Sequence, residues 1–119
     1  MTQVIFRIEE DKKIPHHKKF SFSSIGHAGY GPKGVDIVCA SLSILCATLA
    51  YSAGLAQEAG KLLDLQVTME GGKAEVIAEP APKCENEIAR EFQTILNGYR
   101  LLADNYPDYV HLDESGFQT

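Results

Sequence analysis

Cysteine is scarce in this 119-residue chain, with only Cys39, Cys46 and Cys84 present. An odd, irregularly spaced set of three resembles neither a disulfide framework nor a zinc-ligand pattern, and it suits a reducing cytoplasm. Basic charge is also short: 11 Lys and Arg face 16 Asp and Glu, for a net charge of −5. That balance argues against a free-standing nucleic-acid binder, which needs a basic face for the phosphates. Any contact with RNA or a ribosome is expected to run through a basic protein partner. No apolar core follows a basic start in Met1-Thr2-Gln3-Val4-Ile5-Phe6-Arg7, so no signal peptide is expected. No internal repeat stands out. The longest apolar run, Ile37 to Ala56, is broken by Ser41, Ser43, Thr48, Ser52 and Gly54, and it reads as a core helix of a soluble protein rather than a membrane span.

What remains is enough for one compact domain over residues 1–119, since 45% of the residues are hydrophobic. Val4, Phe6 and Ile8 alternate with polar neighbours, Glu9 to Lys13 is a charged turn, and Phe20, Phe22 and Ser24 alternate again, predicting a hairpin. A loop follows from Gly26 to Gly34, where four glycines and a proline fall in nine residues. Asp36 is placed to cap a helix running from Ile37 to about Glu58, with Gly60 as its stop. That helix is apolar around most of its circumference, as for a central helix covered on more than one side. Leu65, Val67 and Met69, the turn Gly71-Gly72, and Ala74, Val76 and Ala78 predict a second hairpin. After Pro80-Ala81-Pro82, the spacing of Ile88, Phe92, Ile95, Leu96, Tyr99 and Leu102 predicts a second helix ending at Asn105 and Pro107. Tyr109 to Leu112 suits a short last strand. The expected architecture is α+β, in the order β-β-α-β-β-α, with two helices on one face of a mainly antiparallel sheet. Its exposed face or edge calls for cover, so a homodimer is expected.

Two residues carry the chemistry. Cys39 is the third residue after the Asp36 cap, inside the first helical turn, and His27 sits in the glycine-rich loop. A helix N-terminus and a nearby imidazole both favour the thiolate, which is the attacking species in sulfur chemistry. His27 would act as general base or ion-pair partner and later protonate a leaving group. Backbone N–H groups at the helix start, that of Cys39 among them, are candidate oxyanion donors. The plainer alternative is a small buried cysteine and a solvated histidine, and spacing alone leaves it open. Asp36 cuts both ways, because an unneutralised carboxylate would oppose the thiolate; capping is expected to absorb its charge. Ser43, one turn beyond Cys39, either orients the site or bonds back to the Cys39 carbonyl. Tyr30 either stacks on an aromatic substrate residue or is an ordinary loop tyrosine. Cys46 reads as core, and Cys84 opens the last helix without a basic partner. His16, His17 and His111 have no matching ligands, so neither a metal nor a cofactor is expected. A phosphate-cradling loop from Gly26 to Gly34 is a weak reading, because no lysine followed by serine or threonine closes the glycine run.

Gly26-His27-Ala28, followed by Gly34-Val35-Asp36-Ile37-Val38-Cys39-Ala40-Ser41-Leu42-Ser43, resembles the signature of the ribosomal-processing cysteine proteases of the Prp family. The flanking hairpins, the later helix and Tyr106-Pro107-Asp108-Tyr109-Val110 are similar too, so the resemblance covers nearly the whole chain. It implies an endopeptidase that removes a short N-terminal extension from large-subunit ribosomal protein twenty-seven, cutting just after aromatic residues. It also implies a dimer with a flexible loop over the site. By position, His27 matches the dyad histidine and Cys39 the nucleophile, while Gly26, Asp36 and Ser43 match the remaining motif positions. Ser41 departs from the alanine more usual there, a small-for-small change. The glycines at 29, 31 and 34, with Tyr30, suit a lid that admits an extended peptide and then closes. The competing reading, from another class, is a non-catalytic module that binds a basic ribosomal protein segment during assembly. Neither reading calls for direct nucleic-acid or membrane contact.

Overall fold

The computed structural model describes residues 1–10, 14 and 17–118. The charged turn foreseen at Glu9 to Lys13 and the position of His16 lie wholly or partly outside them. Strands β1 (Thr2–Glu10) and β2 (Lys18–Gly26) pair antiparallel, Phe6 facing Phe22 and Ile8 facing Phe20. Helix α1 (Ile37–Glu58) leads to the hairpin of β3 (Leu62–Glu70) and β4 (Lys73–Pro80). A single 3-10 turn, Pro82–Cys84, leads into α2 (Glu85–Asn105), and β5 (Val110–Ser115) ends the sheet. The strand order is β3-β4-β2-β1-β5, antiparallel throughout except that β5 lies parallel to β1. The expected α+β architecture is therefore the one observed.

The period of two in the strands explains the core. Val4, Phe6, Phe20, Phe22, Val76 and Ala78 all fall on one sheet face and are buried, each Val and Phe side chain contributing roughly 1.5–3 kcal/mol of transfer free energy. Phe6, Phe22 and Tyr99 pack ring on ring, with centroids 5.1–5.6 Å apart. Both helices cover this face, α1 over β3 and β4, and α2 over β2 and β5. In α2, Ile88, Phe92, Leu96 and Tyr99 form the buried stripe, and the Tyr99 hydroxyl donates to the Leu42 carbonyl at 2.9 Å, tying the helices together. Pro82, with no N–H to lose, starts the turn, and Glu85 and Glu87 favour the positive end of the α2 dipole. Beyond β5, Phe117 closes the core edge-on against Phe6 at 5.9 Å.

One expectation changes. Helix α1 buries Val38, Leu42, Cys46, Leu49, Ala53 and Ala56, but its opposite face is open rather than covered. Ile44 and Tyr51 are 64% and 71% exposed, with Ile37 and Leu55 also exposed. By length and composition this helix could cross a bilayer; its seat on the sheet is that of a core helix with one face left over. The all-round apolar pattern thus reflects one face against the sheet and one without cover inside a single chain.

Candidate active site

Asp36 organises the entrance of α1. Its Oδ1 accepts the Cys39 N–H at 2.9 Å, and its Oδ2 accepts the N–H groups of Tyr30 and Gly31 at 3.0 and 3.1 Å. One carboxylate therefore caps the helix and pins the middle of the glycine loop. The Cys39 N–H holds this carboxyl below its usual 3.8; partial burial pushes the other way, and the Gly31 N–H, the Cys39 thiol and the Tyr30 N–H lower it further. A depressed folded value means that the tether is at full strength above the unfolded carboxylate range and is lost as pH falls through the folded value. On acid titration, the amide resonances of Cys39, Gly31 and Tyr30 should therefore shift together, with an inflection below pH 3.8. Separate inflections would show that the three do not share one carboxylate.

The cap corrects one expectation: the Cys39 N–H is engaged by Asp36 and is not a free oxyanion donor. Cys39 itself is half-buried and its thiol is free. His27 follows directly on β2, where Gly26 sits at φ +100° and any Cβ would fall 2.6 Å from the Met1 carbonyl oxygen. Only glycine fits there, which fixes how the chain leaves the sheet ahead of His27. Gly26 also donates its N–H to the Gly72 carbonyl at 2.8 Å, bringing the β3–β4 turn beside the imidazole. A Cβ on Gly72, itself at φ +77°, would lie 3.1 Å from His27 Nε2.

Two hollows meet at this point. One, about 270 Å³, lies between α1 and the ends of β3 and β4, with Leu42, Cys46, Ala47, Met69 and Ala74 giving it apolar walls. The other, about 640 Å³, lies under the glycine loop beside Gly29, Gly31, Lys33, Gly34 and Asp36. His27, Cys39 and Ser43 line both, so the thiol stands between two recesses. That suits a group attacking the middle of an extended ligand whose residues settle on either side.

The remaining candidates separate. The Ser43 hydroxyl is exposed toward both recesses, and among the described residues it makes no bond to the Cys39 carbonyl; Ser41 and Thr48 do bond back, to Ile37 and Ile44, each at 2.7 Å. Tyr30 lines neither hollow. Its ring is held edge-on by Tyr106 and Tyr109, with centroids 5.4 and 5.2 Å away, and so anchors the loop to the segment before β5. Burial pushes the Cys46 thiol up, and its Sγ rests 3.5 Å from Met69 Sδ, as befits a wall and not a nucleophile. Cys84 caps α2 away from the hollows. His17 is buried against Glu79, and His111 is exposed on β5; among the described residues no cluster of three potential metal ligands forms. Sequence reasoning missed Gly72, Tyr106 and Tyr109 as parts of the site, because each arrives through a contact distant in sequence.

Solved structures share this fold over nearly the whole chain. A Streptococcus mutans protein, SMU.848, is 27% identical, with a TM-score of 0.64 over 96% of this chain and 93% of its own. The essential ribosomal processing protease Prp from S. aureus, solved with a covalently linked product peptide, is 18% identical, with a TM-score of 0.63 over 97% and 100%. Solved with a substrate peptide, it gives 16% identity and a TM-score of 0.59 over the same shares. These last two likenesses establish fold alone. No curated protein gives a significant match to the sequence. The family model for cysteine protease Prp, in contrast, spans residues 1–111, and on that match the chain belongs to the Prp family of cysteine proteases.

Proposed function

We propose that this chain is the processing endopeptidase that trims a short N-terminal extension from large-subunit ribosomal protein twenty-seven, with Cys39 as nucleophile and His27 as its proton carrier. The observation that carries the reading is the shared rim: Cys39 and His27 both line each of two recesses that meet at the thiol. In the reaction, the Cys39 thiolate adds to the scissile carbonyl and the imidazolium of His27 protonates the departing amine. Water, deprotonated by His27, then releases the acyl group and restores the thiol. The apolar recess beside Leu42, Ala47 and Met69 suits an aromatic residue preceding the cut. Three free cysteines fit work in a reducing cytoplasm.

The protein acts as a homodimer in this proposal. Its support is the row of exposed Ile37, Ile44, Tyr51 and Leu55 along the outer face of α1, a larger apolar strip than scattered surface residues explain.

The test is incubation with a precursor carrying its extension, read by intact mass, alongside iodoacetamide labelling of Cys39 at about pH 6.5. Expected are a shortened product and labelling faster than that of an ordinary exposed thiol, with the excess rate lost in His27→Ala. An uncut precursor together with ordinary thiol reactivity would favour the non-catalytic binding module instead.

A further inference from the structure

Strand β3 is an outer strand of the sheet, and its last residues, Met69 and Glu70, line the apolar recess that holds Cys39. The turn Gly71-Gly72 joins Glu70 to Lys73 as facing residues, so this pair exchanges both ladder hydrogen bonds. With the register unbroken from Leu65 to Glu70, the bonded pairs are then Glu70–Lys73, Thr68–Glu75 and Gln66–Ile77. The intervening residues, Leu65, Val67 and Met69, turn their N–H and C=O groups away from β4, to the free edge. Their side chains lie on the helix-covered face, as the contact of Met69 Sδ with Cys46 Sγ shows.

From this we infer that the substrate docks as an extended strand along the free edge of β3, pairing antiparallel with the outward backbone groups of Val67 and Met69. The inference rests on the peptidase reading above and names how that site holds its peptide. Antiparallel addition gives substrate residues opposite Val67 and Met69 the same facing, toward α1. That is the side on which the recess opens, so the ladder delivers one substrate side chain between Met69 and Ala47 while the chain runs on toward Cys39. The backbone pairing supplies affinity that is indifferent to sequence, and the recess supplies selection. An outer strand without a second partner among the described residues, with Val67 and Met69 44% and 48% exposed, is otherwise a liability for association between copies.

The test uses a synthetic peptide that spans the extension and cleavage site of the ribosomal precursor. Added to Cys39→Ala, it should slow hydrogen exchange at the Val67 and Met69 amides, leaving Gln66 and Thr68, already bonded to β4, unchanged. Val67→Pro removes an outward N–H without breaking the ladder to β4. It should lower kcat/KM about tenfold, mainly through KM, as for one lost hydrogen bond, with Cys39 alkylation at its original rate. If the unaltered protein cuts the peptide while Val67 and Met69 exchange as before, strand docking is overturned and the peptidase reading stands. If their protection instead tracks protein concentration without peptide, a second copy occupies the edge and the inference fails. An uncut peptide that also leaves these amides unprotected sinks the substrate assignment and the docking together.

Discussion

Cys39→Ala is expected to lower peptide cleavage by at least about 10⁴-fold, because it removes the proposed nucleophile. The neighbours that remain are poor substitutes: burial pushes the Cys46 thiol up, and the Ser43 hydroxyl is a far weaker nucleophile than a thiolate. The fold should barely notice: the side chain is half-buried, and losing one sulfur there costs no more than roughly 1 kcal/mol. His27→Ala should fall nearly as far. The double variant should be no worse than either single one, since an attacking sulfur and its proton carrier fail as a unit. Steady-state rates with a precursor peptide, together with thermal melts, check all three. Additive losses would mean that the two side chains work separately, and a surviving rate in Cys39→Ala would move the chemistry elsewhere.

Gly72→Ala carries the second large effect, at a residue that takes no part in bond making. Alanine at φ +77° costs about 1–2 kcal/mol of backbone strain. Its methyl group would also fall 3.1 Å from His27 Nε2, so either the ring or the turn must move. A shift of a few tenths of an ångström relieves such a contact, and since a full 1 Å misplacement at a reacting group costs roughly 100-fold in rate, a loss of about tenfold is expected. The expected signature is a fall of that size in kcat with KM little changed, and loss of the rapid alkylation of Cys39. Gly71→Ala, at the neighbouring position where φ is not positive and a Cβ meets nothing within 4 Å, controls for a methyl group in the turn as such and should leave the rate nearly unchanged. Equal damage from both would show that the turn tolerates no side chain, and that neither the φ of Gly72 nor its approach to the imidazole is the cause.

The contrast between these two positions reflects what a sequence exposes. Cys39, His27 and Asp36 are legible because local chemistry marks them: a cap three residues before a thiol, and a histidine in a glycine run. The strands are legible for a similar reason, since Val4, Phe6 and Ile8 or Ala74, Val76 and Ala78 declare their period within a few residues. Both ends of α1 follow from Asp36 and Gly60, the latter at φ +73°. Strand order is different. Nothing near Val110 announces that it will lie parallel to β1, and nothing near Gly72 announces His27, because register between distant strands is fixed by the assembled core. The same limit explains the outer face of α1. Composition records that Ile44 and Tyr51 are apolar but not whether their cover comes from the same chain.

The tyrosine bracket also bears on when activity can begin. Tyr106 and Tyr109, which hold Tyr30, follow α2, and the Tyr109 carbonyl accepts the Thr2 N–H at 2.9 Å, so a late segment of the fold docks on an early one. Folding during translation proceeds from the N-terminal side, and this closure cannot occur until the segment around Tyr109 has left the ribosome. A nascent copy would therefore carry its thiol while the surrounding loop still lacked its mooring, and cleavage competence would wait for Tyr106 and Tyr109 to emerge and dock.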